Sequence, residues 1–298
     1  MWFTRYIVSL LLPGAGHITI GKTQRGLLWF SSCLLLANAT LLMLFVMHVR
    51  SGWLVAPLVA LGLLSTFALR VGAVVDVAIV KPRAARPPAW QVAVAWVAMV
   101  LAASVVSLTG RRLVEAFKVP AGSMIPTIEV GDHVFVDKLA MPGRGDVMVF
   151  RYPKDPTKDF IKRVIAVGGD TIEIRDNVPI VNGQPIERAR REGPCSYEDL
   201  GGLDDERWET RPCEAFTEEL GGHRYTVYYN VGEAPRSWPA VTLPPNTLYV
   251  LGDNRDNSHD SRYWGFVPAA NVKGVAFVVW FSSGKDGIRR ERLGQRIE

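Results

Sequence analysis

Asp159-Phe160-Ile161-Lys162-Arg163-Val164-Ile165-Ala166-Val167, closed by Gly168-Gly169-Asp170, decides the fold of the second half of this chain. The run is rich in Val, Ile and Phe and ends in a glycine-Asp turn, which reads as a strand. Side chains on a strand alternate between faces. Lys162 therefore shares an apolar face with Phe160, Val164 and Ala166. Arg163 points the other way, among Ile161, Ile165 and Val167, where it needs an acidic partner. Similar runs recur at His133–Val136, Asp146–Tyr152, Thr171–Arg175, Arg224–Tyr229, Thr247–Leu251 and Val272–Phe281. Gly131-Asp132, Pro142-Gly143 and Pro244-Pro245-Asn246 punctuate them, and Val181-Asn182-Gly183-Gln184 reads as a tight hairpin. No long helical period interrupts the series. A mainly antiparallel, all-β domain is expected over residues 113–298. Residues at about 187–223 are polar, mixed in charge and cysteine-bearing, and read as an insertion outside the main sheet.

Residues 1–112 are different material, dominated by apolar side chains with few charges. Three stretches, about Gly26–Val49, Trp53–Val80 and Trp90–Leu108, reach the roughly 20 apolar residues that a bilayer requires. An α-helical multi-span membrane region is expected ahead of the β domain. Arg70 and Asp76 in the second stretch are costly in lipid unless partnered or interfacial. Asp76 lies near that stretch's end and reads as interfacial or snorkelling. Tyr6–Ile20 is shorter and broken by Pro13-Gly14. A cleaved leader with Arg5 as its charged region and Ile7–Leu12 as its core is one reading. The meagre core and the lack of a small-x-small site speak against it. Pro13-Gly14-Ala15-Gly16-His17 resembles the start of a small two-helix membrane module of bacterial proteins, which makes Phe3–Ile20 a short first span or a re-entrant helix.

Positive loops set the orientation. Lys81, Arg83 and Arg86 follow the second long stretch and Lys22 and Arg25 precede the first, while Arg50 stands alone between them. The loop Lys81–Pro88 is thus expected inside and everything after Gly110 outside, with Arg111 and Arg112 working weakly against this. An outside location permits a disulfide between Cys195 and Cys213. It would close a loop of about 18 residues and contribute about 3 kcal/mol; two free thiols is the alternative. Zinc is disfavoured, because this pair supplies half the ligands and no paired histidines accompany it. The formal net charge of +5 comes without an aromatic-interleaved basic patch, so no nucleic-acid partner is expected. Much of the excess lies beside the membrane stretches and in Arg289–Arg292, suited to anionic headgroups.

Ser123 stands in Val119-Pro120-Ala121-Gly122-Ser123-Met124-Ile125-Pro126-Thr127, a proline-flanked loop shortly after the last apolar stretch. A serine hydroxyl is a poor nucleophile until a base takes its proton. Of the five histidines, His17 and His48 belong to the membrane region, His133 to a strand and His259 to an Asp-rich turn. A triad through His259 is possible, since triads are spatial, but no Gly-x-Ser-x-Gly elbow supports it. Lys162 is the better base if its amine is desolvated, because its ordinary pKa of about 10.4 must fall by roughly 3 units. The turn Gly252-Asp253-Asn254-Arg255-Asp256-Asn257-Ser258-His259-Asp260-Ser261-Arg262 lacks the ligand spacing of an EF-hand. It reads as a scaffold for the lysine instead.

At these residues the chain resembles type I signal peptidases, membrane-bound Ser-Lys proteases. The matching blocks are Gly122-Ser123-Met124-x-Pro126-Thr127, Gly131-Asp132, Arg144-Gly145-Asp146-Val147, Lys162-Arg163 with Gly169-Asp170, and Gly252–Arg262, in family order. The resemblance implies Ser123 as nucleophile and Lys162 as general base. Ser258 would hold the lysine amine, Asp253 would pair with Arg163, and Asp260 with Arg262. It also implies an acyl-enzyme, no cofactor or metal, and a monomer in the bacterial plasma membrane with its catalytic domain on the extracytoplasmic face. The substrates would be exported preproteins cut after small-x-small motifs, which small pockets select by excluding bulk. Phe117, Val119, Pro120, Ala121, Met124, Ile128, Phe160 and Ile161 are the candidate lining, and the substrate would add a strand beside Asp159–Lys162. One departure matters. Where many members carry a hydroxyl that donates to the oxyanion, this chain has Ala121. Self-cleavage, a signal-peptide-binding module without activity, and a transporter are the competing readings. The missing DNA-binding segment, the intact Ser123 and Lys162, and the few spans weigh against them in turn.

Overall fold

The computed structural model describes residues 2–48, 55–82, 88–202 and 205–298. The chain divides into two compact units, Met1–Arg112 and Leu113–Glu298. The first is helical, with α1 (Trp2–Leu11), α2 (Ala15–Thr19), α3 (Thr23–His48), α4 (Val55–Ile79) and α5 (Ala89–Leu113). Tyr6–Ile20 is therefore two short helices parted at Pro13-Gly14. Ala15, Ile18, Phe30 and Met99 form this unit's buried apolar centre.

Asp76, near the end of α4, has protein partners. It accepts hydrogen bonds from His17 Nε2 (2.8 Å), Trp29 Nε1 (2.8 Å), and Arg25 Nε and Nη2 (2.8 and 2.6 Å). A carboxylate among apolar helices needs such donors, and these three tie α2 and α3 to α4. Arg70 Nη1 reaches the last carbonyls of α1, Leu10 O (3.2 Å) and Leu11 O (3.3 Å).

Helices α3, α4 and α5 overlap the three stretches expected to span a bilayer. Among the described residues, however, no helix is long and apolar enough to cross a membrane. Arg25 stands in α3, and Arg70 and Asp76 in α4. Of the residues used for orientation, Arg50, Arg83 and Arg86 lie outside the described residues, as do Val49 and Trp53 at the ends of two expected spans.

The second unit begins with β1 (Val114–Lys118), β2 (Asp132–Asp137), β3 (Val147–Tyr152) and β4 (Asp155–Val167). A small hairpin layer follows: β5 (Thr171–Arg175), β6 (Val178–Val181) and β7 (Gln184–Pro185). Next come β8 (Glu187–Arg190), β9 (Ser196–Gly202), β10 (Asp205–Leu220) and β11 (His223–Asn230). The chain closes with β12 (Trp238–Thr242), β13 (Thr247–Leu251), α6 (Ser261–Trp264), β14 (Val267–Pro268), β15 (Val272–Gly284) and β16 (Gly287–Ile288).

Among the described residues the strands form three antiparallel sheets. The main one runs β1-β2-β15-β3-β4-β13-β14, with β16 on β15. Apolar clusters cover both its faces: Val134, Val136, Val149 and Val279 belong to one, Phe150, Val164, Val250 and Val267 to another. The mainly antiparallel β expectation thus holds.

The polar stretch at 187–223 is more ordered than it reads. β8, β10 and β11 make their own sheet, with β9 pairing further along β10, and Cys195 and Cys213 are joined in a disulfide. Its longest strand, β10, hides in sequence because its buried face includes Glu218, which is fully buried.

One register detail positions the site. β13 pairs with β4 from Leu251↔Arg163 to Leu248↔Val167, while β3 pairs along β4's other edge from Asp155 to Arg163. Among the described residues, the edge of Asp159–Lys162 opposite β3 carries no strand, which leaves it open to one more extended chain.

Candidate active site

Ser123 lies in the connection between β1 and β2, and packing on its C-terminal side fixes it. Met124, Ile125 and Ile128 are buried, while Ser123 itself is half-buried at the surface of this plug. The Gly252–Arg262 turn clamps the loop. Asn254 N donates to Ser123 O (3.2 Å) and Asn254 Nδ2 donates to Gly122 O (3.1 Å). Gly252 permits this approach, since a Cβ there would sit 2.4 Å from Ser123 O. Gly122 is equally constrained, because its Cβ would lie 2.2 Å from Asp199 Oδ1.

Lys162 Nζ lies 2.6 Å from Ser123 Oγ and donates to Ile161 O at 2.9 Å. The side chain is 4% exposed, and the amine approaches the Phe160 ring at 5.5 Å from its centroid. Burial pulls the amine's pKa from 10.5 down to about 8; Asp260 and Asp253 act against this and Arg262 with it. An amine so placed is substantially neutral under mildly alkaline conditions and can take a proton.

The neighbouring charges are paired. Arg163 donates to Asp253 through Nε (2.8 Å) and Nη2 (2.7 Å) with both side chains fully buried, and Nη1 donates to Gly145 O (2.6 Å). Its guanidinium also lies 3.7 Å from the Tyr225 ring centroid. Arg262 Nε and Nη2 each donate to Asp260 at 2.8 Å, and Asp260 in turn accepts from Gly252 N (3.0 Å). A third buried pair was not legible in sequence: Arg255 Nη1 and Nη2 donate to Glu218 at 2.9 and 2.5 Å. It ties the Gly252–Arg262 turn to β10 of the second sheet.

Ser258 departs from expectation. Its Oγ is buried and makes no hydrogen bond, and it crowds the space above Gly252. The amine's partners are Ser123 Oγ and Ile161 O instead, so in this conformation Ser258 does not hold Lys162.

The expected substrate-lining residues separate into groups. Phe117, Val119, Met124, Ile128 and Ile161 pack into one cluster, but Val119, Met124 and Ile128 are core residues without open surface. Phe160 belongs to the other face of β4, stacked on Tyr152 at 4.4 Å. Strand alternation between Phe160 and Ile161 enforces that split. Asp159 is exposed on the open edge of β4 and accepts from Lys273 Nζ (2.6 Å). Pro120 and Ala121 line a cavity of about 280 Å³ that opens onto Ser123. Its far wall comes from Asp199, Leu200, Gly201 and Arg211 of the β9–β10 hairpin, with Asn257. No histidine joins the Ser–Lys pair in the described contacts: His259 is exposed near Tyr152 and stacks on Tyr263 (5.6 Å), and His133 packs edge-on to Trp280 (5.4 Å).

Residues 90–281 match the family model described as "Signal peptidase, peptidase S26". The chain belongs to this family of signal peptidases. A signal peptidase I of Pseudomonas aeruginosa is 37% identical over 202 residues, covering 57% of this chain and 66% of that protein. One from Aquifex aeolicus is 38% identical over 201 residues, covering 57% and 77%. The chain thus spans about two thirds of the length of the first relative, just short of that share. The crystal structure of a signal peptidase I from Enterococcus faecalis, at 26% identity, covers 46% of this chain and 97% of that one with a TM-score of 0.27. At that score it adds nothing to the fold described above. Within the matched span lie Ser123, Lys162, Arg163, Asp253, Ser258, Asp260 and Arg262.

Proposed function

We propose that this chain is a membrane-bound serine endopeptidase that removes signal peptides from exported preproteins, with Ser123 as nucleophile and Lys162 as general base. The observation that carries the reading is the 2.6 Å approach of Lys162 Nζ to Ser123 Oγ with the amine buried. The neutral amine accepts the hydroxyl proton as Oγ attacks the scissile carbonyl. The resulting ammonium protonates the departing amine, leaving an ester on Ser123. Lys162, neutral again, takes a proton from water, and hydrolysis of the ester frees the enzyme. Arg163, Asp253, Asp260 and Arg262 act by holding β4 and the Gly252–Arg262 turn in register rather than by touching the substrate. Ser258 Oγ, which lacks a partner here, is the hydroxyl available to the neutral Lys162 amine once Ser123 is acylated.

The substrate's signal segment lies extended along the open edge of β4 at Asp159–Lys162, where main-chain hydrogen bonds supply affinity independent of sequence. Phe117 and Ile161, half-buried beside Ser123's loop, border the sites for the small residues before the cut. The first unit anchors the enzyme at the bacterial plasma membrane, with the catalytic unit on the extracytoplasmic face. Support comes from apolar side chains of α3–α5 that protein does not cover, among them Leu28, Leu35, Leu64, Phe67, Val94 and Leu101. Hydrocarbon is the solvent that suits them. The enzyme works as a monomer without metal or cofactor.

Cleavage of a preprotein by the purified full chain tests this. Ser123→Ala is expected to yield no product, and activity in that variant would end the proposal. Ala121→Ser restores a hydroxyl donor to the oxyanion, a contribution worth roughly 3 kcal/mol where such donors act. Turnover is expected to rise by about tenfold or more; an unchanged rate would show that the Ser123 N–H suffices alone.

A further inference from the structure

The cavity beside Ser123 has two unlike sides. Pro120 to Ser123 form one, and the insertion hairpin forms the other. None of its lining residues belongs to β4, so it lies away from the edge that takes the signal segment. The hairpin presents one face here. Register pairs Glu209 with Asp199 and Arg211 with Tyr197, so all four side chains point to the same side of β9–β10. Asp199 is 7% exposed and packs against Gly122, where its Oδ1 accepts from Leu200 N (2.9 Å). Tyr197 donates to Asn254 Oδ1 (3.3 Å), and Arg211 Nη1 donates to Asn257 Oδ1 (3.3 Å). The hairpin is thereby fixed against the catalytic turn, and Arg211 remains half-exposed with its second Nη at 3.2 Å from Glu209.

Resting on the peptidase reading, we propose that this cavity is the subsite for the leaving side of the scissile bond. It receives the first residues of the mature protein, and Arg211 selects an acidic side chain there. Chain direction argues for it: with the signal segment on β4, the polypeptide must pass Ser123 and continue away from that strand. Volume agrees, since about 280 Å³ holds one or two residues. The wall beside the reacting bond is Gly122 and Ala121, which leaves room for a residue of ordinary size at the first mature position. The Arg211 guanidinium is the cationic group among the lining residues, and its fork suits a carboxylate. Asp199 is held by burial above the ordinary carboxylate range, with Arg211 working against this.

The test is a competition in one tube between two preprotein peptides sharing one signal segment, with Glu or Lys at the second mature position. The ratio of kcat/KM values is read, which is independent of how much enzyme is folded. Wild type is expected to favour Glu by about fivefold, the scale of a half-exposed ion pair gained and a repulsion avoided. Arg211→Glu should bring the ratio below one, and Arg211→Gln should bring it close to one. Equal ratios in wild type and whichever of the two variants cleaves would overturn the subsite while leaving the peptidase reading intact. A wild type that cuts neither peptide would overturn both.

Discussion

Lys162→Met should abolish cleavage and, at neutral pH, make the folded protein more stable. Losing the base should cost at least ~10³-fold in rate. The stability gain follows from the burial that makes the base work. The Lys162 pKa falls from 10.5 in water to about 8 in the fold, so between those values the unfolded chain binds more protons. Stability therefore rises with pH across that window, and below about 8 the full cost of burying the charge is present. The 2.5-unit difference between these pKa values at about 1.36 kcal/mol per unit gives about 3 kcal/mol. Methionine keeps the volume without the charge. It forfeits the hydrogen bonds to Ser123 Oγ and Ile161 O, worth about 1 kcal/mol each. A net gain of about 1 kcal/mol at pH 7 remains, and by pH 10.5 it should have reversed to a loss of about 2 kcal/mol. Thermal unfolding of both proteins in detergent at the two pH values measures it. A variant less stable at pH 7 than at pH 10.5, relative to wild type, would contradict a desolvated amine.

Asp253→Ala is expected to destabilise the catalytic unit by about 3–5 kcal/mol, because it strands a buried guanidinium. Arg163 and Asp253 are both fully buried, and neither has water to fall back on. Gly145 O and the Tyr225 ring satisfy part of the arginine but do not neutralise it. Removing both charges, as Arg163→Met with Asp253→Ala, should recover more than half of the loss, since the pair repays much of its own desolvation. Thermal melts of the single and double variants decide this. A double variant as unstable as the single one would mean that the carboxylate acts through Thr127, which donates to Asp253 Oδ2 at 2.5 Å, rather than through the arginine.

Sequence revealed most where chemistry is local. The alternation of Phe160–Val167 put Lys162 beside Phe160 and gave Arg163 the need that Asp253 meets. The strands flanking the site were legible because Val, Ile and Phe runs end in glycine- or proline-bearing turns. Spatial pairings were not. Nothing adjacent to Glu218 marks it as the partner of Arg255, 37 residues away, and the charged look of β10 concealed a 16-residue strand. The same blindness hid the hairpin wall, since Asp199 and Arg211 read as surface charges of an insertion. In the first unit, Asp76 needed donors from His17, Arg25 and Trp29, between 47 and 59 residues away. Ser258 failed for a different reason: its place in the turn was readable, but which hydroxyl the amine chooses is a matter of ångströms.

The central claim is that a neutral, buried amine activates Ser123, and the pH dependence of acylation tests it most directly. With the Lys162 pKa at about 8, the single-turnover rate should climb about tenfold per unit from pH 6 and level off above pH 8 on one ionisation. At pH 6 it should be roughly 100-fold below the plateau. A rate already flat from pH 7 upward, governed by a histidine-like ionisation near 6.5, would place the base elsewhere.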